Sequence, residues 1–91
     1  MEDLAKIELF VGGIPIATMA EMQTYAYAVP EDQVGSAIIT RFIAGEDVDP
    51  GQLQRALDGD ARAAVAGDDA ALEVIQTVAE RLRKAFPTET P

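Results

Sequence analysis

Along residues 5–11 apolar and polar side chains alternate, with Ile7, Leu9 and Val11 on one face and Lys6, Glu8 and Phe10 on the other. A period of two predicts a strand there. Gly12-Gly13 is a two-residue hairpin signal, and Ile14-Pro15-Ile16 returns as a second strand. Pro15 cannot donate to a ladder, which confines that second strand to an edge. A lone two-stranded hairpin is marginal in water, so this one has to pack on helices or pair with another chain.

From Thr18 to Gly45 the period changes to three and four. Thr18 and Glu21 form a T-x-x-E capping box, and Met19, Met22, Ala26 and Val29 follow as a stripe. Pro30 ends this helix and suits the first position of another, whose first turn carries Glu31 and Asp32. Val34, Ile38 and Phe42 continue the pattern, widened by Ala37 and Ile39, and Gly45 stands where a left-handed cap is wanted. Gly35 and Ser36 fall inside this second helix. The rest of the chain reads as elements laid against these two.

After Gly45 come an acidic turn, Glu46-Asp47-Val48-Asp49, and a helix capped by Asp49 with Pro50 at its first position. Leu53, Ala56 and Leu57 form its apolar edge. Gly59 reads as a stop and Asp60 as a restart, carrying Ala64 and Val65. Gly67 is the next stop, after which Asp68 or Asp69 caps the longest helix, over 70–86. Leu72, Ile75, Ala79, Leu82 and Phe86 make its stripe. Arg81, Arg83 and Lys84 cluster in its last turns, where the dipole favours cations.

The expected fold is therefore mainly α (α+β), a short N-terminal β-hairpin packed on a small bundle of four to five helices. Residues 1–86 are expected to form a single compact domain and 87–91 a flexible tail. A chain of 91 residues buries only roughly 60–65% of its unfolded surface, which leaves room for a second protomer, and hence a homodimer, to complete the core.

Composition narrows the chemistry. The chain has no Cys and no His, which removes thiolate catalysis, sulfur-ligated metals and the commonest general base. The acids at Asp47, Asp49, Asp58 and Asp60 superficially suggest a calcium loop. Counted from Asp47 the fifth position is Gly51, and counted from Asp58 it is Arg62; neither frame carries the ligand pattern of an EF-hand. Ser36 lacks the D-S-L setting of a phosphopantetheine carrier, standing instead in Gly35-Ser36-Ala37. Gly12-Gly13 lacks a phosphate-loop context. Met19, Met22 and Tyr25 read as core before they read as an adaptable binding face. No enzyme, cofactor or metal is expected.

Sixteen acids against seven bases give a net charge of −9. Nucleic-acid phosphates and anionic lipid carry the same sign, so a basic protein surface is the expected partner, without direct nucleic-acid or membrane contact. The candidate partner-binding residues are Glu46, Asp47, Asp49, Asp58, Asp60, Asp68, Asp69 and Glu73. Against them stands the reading that each is a helix cap or a solubilising charge. No basic leader precedes the first strand and no apolar run approaches the ~20 residues of a membrane span, so a cytoplasmic location is expected.

A strand followed by two helices with a Pro-Glu-Asp corner, over residues 5–45, resembles the ribbon-helix-helix family of dimeric repressors and antitoxins. That resemblance implies strands paired between protomers, with Lys6, Glu8 and Phe10 facing outward. The carboxylate at Glu8 and the Gly-Gly-Ile-Pro-Ile insertion depart from the family. Compact, acidic, cysteine-free chains also resemble the accessory inhibitors of phages and mobile elements, including anti-CRISPR proteins. The first expectation is a non-enzymatic protein-binding regulator or inhibitor. The alternatives are a ribbon-helix-helix-like dimeric regulator or antitoxin and a structural assembly subunit.

Overall fold

Gly12 and Gly13 adopt φ of +57° and +84° and turn β1 (Glu8–Val11) back into β2 (Ile14–Thr18). Two successive positive φ values are what a type I′ hairpin turn needs. This is seen in a computed structural model, which describes residues 3–29 and 37–87. The expected strand over 5–11 is shorter than its alternation suggested. Asp3 accepts a hydrogen bond from Ala5 N–H at 3.0 Å and caps a 3-10 turn, Leu4–Lys6, which takes those residues out of the ladder. The alternation itself holds in β1, where Leu9 and Val11 are buried while Glu8 and Phe10 are exposed.

The strands pair Leu9 with Ala17 and Phe10 with Pro15, so Ile16 is an extra residue in β2. This β-bulge lets two consecutive residues, Ile16 and Ala17, both face the core. Thr18 then caps α1 (Met19–Ala28) with both arms of the capping box formed. The buried face of α1 is Met22 and Tyr25, joined by Val29; Met19 and Ala26 are only partly buried.

The Pro30 corner, Glu31, Asp32, Val34, Gly35 and Ser36 lie outside the described residues. α2 (Ala37–Ile43) buries Ile38, Ile39 and Phe42. It ends in a Schellman cap in which Gly45, at φ +85°, donates to Phe42 and Glu46 N–H donates to the Arg41 carbonyl at 2.9 Å. The acidic turn that follows hides Val48 in the core.

α3 (Pro50–Ala56) starts at Asp49, whose carboxylate accepts from Gln52 N–H at 2.9 Å. Gly59 does not stop it. The chain runs on through a π turn, Leu57–Ala61, into α4 (Arg62–Ala64), and Asp60 caps nothing. The spacing of the apolar side chains accounts for this. Leu53, Leu57, Ala61 and Val65 are all buried and recur every four residues. An α-helix of 3.6 residues per turn would rotate such a set away from the core. The wider π turn holds it in line.

Asp68 caps α5 (Asp69–Ala85), accepting from Ala71 N–H at 3.1 Å. The buried face of α5 is Ala71, Ile75, Val78, Ala79 and Leu82, while Leu72 and Phe86 lie at its margin. The buried side chains form one cluster to which both strands, α1, α2, α3 and α5 contribute. The architecture is mainly α with a small β part, the hairpin packing on the helices. Residues 88–91, most of the expected tail, lie outside the described residues. No helix among the described residues is long and apolar enough to cross a membrane.

Candidate functional site

The eight acids proposed from the sequence separate into groups once their surroundings are known. Asp49 and Asp68 are N-caps, each holding a backbone N–H that the helix cannot satisfy itself. Asp58 is tied down by Gln54 Nε2 at 2.9 Å and by Arg83 Nη1 of α5 at 3.2 Å. Asp69 occupies the first turn of α5, where the positive end of the dipole welcomes it. Glu73 stands one turn further on, beside Glu21, Thr24 and Thr77, at an open depression of about 370 Å³ between α1 and α5.

Glu46, Asp47 and Asp60 differ from the capping and paired acids. All are exposed, and among the described residues none of their carboxylates has a hydrogen bond or ion pair, which holds for Asp69 and Glu73 as well. Glu46 and Asp47 immediately follow the C-terminus of α2, where the partial charge of the helix end is negative and opposes a carboxylate. Asp60 sits in the π turn without capping it. With Ile38, Gln52, Arg55 and Ala56 it lines an open groove of about 430 Å³ between α2 and α3. Glu46 and Asp47 thus follow the C-terminus of α2, while Asp60 lies beyond α3.

Three of the seven cations are held in ion pairs: Arg81 with Glu21, Arg83 with Asp58, and Lys84 with Glu80. The first of these is a junction. Arg81 Nη1 donates to Glu21 Oε1 at 2.7 Å and to the carbonyl of the bulged Ile16 at 3.2 Å. The same Glu21 oxygen accepts from Thr18 N–H at 2.8 Å. Burial raises the Glu21 pKa, but the hydrogen bonds from Arg81 and Thr18 and the Arg81 charge outweigh it, so the carboxyl lies below its ordinary 4.5. Sequence reasoning saw the capping box and missed Arg81, whose partners are some sixty residues away.

Tyr25 marks where this junction's helix meets the acidic region. Its ring is buried and its hydroxyl has no hydrogen-bond partner among the described residues. Burial, with the Asp60 carboxylate nearby, pushes the phenol above its ordinary 10.0. Met22, also buried, belongs to the core with it. Among the described residues no three acids converge closely enough to hold a metal ion. A scan against protein-family models and searches of curated proteins and of solved structures found no match for this chain.

Proposed function

We propose that this chain is a small, cytoplasmic, non-enzymatic regulator or inhibitor that binds a basic surface of a protein partner. One observation carries the reading: Glu46, Asp47 and Asp60 are exposed carboxylates with no hydrogen bond or ion pair among the described residues. A carboxylate just past a helix C-terminus costs on the order of 0.3–1 kcal/mol, so its presence there calls for a reason outside the fold. The net charge of −9 gives the same sign to the long-range field. Asp69 and Glu73 extend the acidic surface, whereas Asp49, Asp58 and Asp68 serve the fold first.

The test compares the immobilised wild-type chain with a Glu46→Lys/Asp47→Lys/Asp60→Lys variant for capture from extracts of the source cells. The expected result is a cationic protein retained by the wild type, released by salt and missing from the variant. Identical capture by both chains, or retention indifferent to salt, would overturn the reading.

A further inference from the structure

The two edges of the hairpin are unequal. In a two-residue hairpin the pair flanking the turn is hydrogen-bonded, so Val11 and Ile14 face each other through their backbones. Leu9 and Ile7 then point the same way, and the Ile7 carbonyl does accept from Met19 N–H at 2.8 Å. The backbone groups of Glu8 and Phe10 point away from β2, along the outer edge of β1.

The opposite edge, along β2, is blocked. Pro15 has no N–H, the Ile16 carbonyl is taken by Arg81, and Thr18 N–H is taken by Glu21. Along β1, which also touches α2, no segment among the described residues is hydrogen-bonded to the outer edge. The exposed face beside that edge carries Glu8 and then Phe10, which is 49% exposed and paired with the exposed Pro15.

The geometry points to strand addition: an extended cationic segment of a protein partner docks along β1. It pairs its backbone with Glu8 and Phe10, setting a basic side chain opposite Glu8 and an apolar one, two positions along, opposite Phe10. Charge selects this occupant over a second copy of the chain, which would bring another −9 against Glu8. The inference rests on the proposed function only for the sign of the partner's charge.

The test titrates 15N-labelled full-length chain with a synthetic peptide whose alternate positions are Lys and Val with Thr between, following amide shifts and exchange protection. The Glu8 and Phe10 amides are expected to shift and become protected, and Glu8→Lys to weaken binding several-fold. Phe10→Pro removes one outward N–H while sparing the inward bonds of Leu9 and Val11, and is expected to abolish the protection. Glu8→Lys, which leaves the backbone intact, keeps the test decisive should Phe10→Pro not fold. Unchanged Glu8 and Phe10 amides at millimolar peptide would overturn the inference, as would their protection by self-association without peptide. If those amides stay silent while salt-sensitive capture by Glu46, Asp47 and Asp60 persists, strand addition fails and the acidic-surface reading stands. If peptide protects the edge but capture ignores the triple reversal, the acidic-surface reading fails and strand addition stands.

Discussion

Two regions of this molecule use carboxylates in opposite ways. At the junction of hairpin, α1 and α5, Glu21 is half-enclosed, bonded to Thr18 and Arg81, and held below its ordinary pKa. Around α2 and α3, Glu46, Asp47 and Asp60 stand exposed without partners among the described residues, two of them at the wrong end of a helix. The first arrangement ties together elements distant in sequence. The second contributes nothing of that kind and shapes the outward field. Acidity in a sequence is thus two separate properties, and the fold distinguishes them by what each carboxylate touches.

The largest effect is expected at the junction. Arg81→Ala leaves the Ile16 carbonyl and the Glu21 carboxylate without their partner, and Glu21→Gln weakens the capping box; each is expected to lower stability by about 1–2 kcal/mol in urea titrations. Because folding depresses the Glu21 pKa, its contribution is present above the ordinary 4.5 and is lost as pH falls through the lower folded value. The stability gap between wild type and Glu21→Gln should therefore shrink below pH 4.5. A gap that stays constant down to strongly acidic pH would place Glu21 with the idle carboxylates.

Tyr25 probes the contact between the regions. If its buried hydroxyl bonds to nothing, Tyr25→Phe should raise stability by about 1 kcal/mol. A loss of similar size would mean that the hydroxyl has a partner; were the loss to vanish in an Asp60→Asn background, Asp60 would serve the fold. Gly59 is the next smaller case. It is helical, and a methyl there meets nothing within 4 Å. Gly59→Ala is expected to add roughly 0.5–1 kcal/mol to thermal stability. A decrease would show that the π turn depends on glycine.

The hairpin was legible because alternation and a Gly-Gly turn are local signals, as were the caps at Thr18, Asp49 and Asp68. Gly59 misled because a glycine followed by Asp looks like punctuation. The every-four spacing of Leu53, Leu57, Ala61 and Val65 overrode it, and that spacing was present in the sequence for a reader counting across the glycine. Arg81 was read as a cation placed for the helix dipole. Its bonds to Ile16 and Glu21 depend on how α5 lies against the hairpin, which no local pattern encodes. The acidic candidates were found by type and position, but the tie of Asp58 to Gln54 and Arg83 and the choice of Asp68 over Asp69 as cap emerged only from their hydrogen bonds.

The smallest effect on the fold belongs to the residues expected to matter most for binding. Glu46→Lys/Asp47→Lys should change stability by no more than a few tenths of a kcal/mol, towards gain, since a cation suits the end of α2. The direct test is to measure, side by side, thermal stability and the salt dependence of affinity for the captured cationic partner. The expectation is an unchanged or slightly raised melting temperature together with weaker binding and a shallower salt slope in the variant. A variant that melts early, or that binds with the wild-type affinity and slope, would contradict this division of the carboxylates.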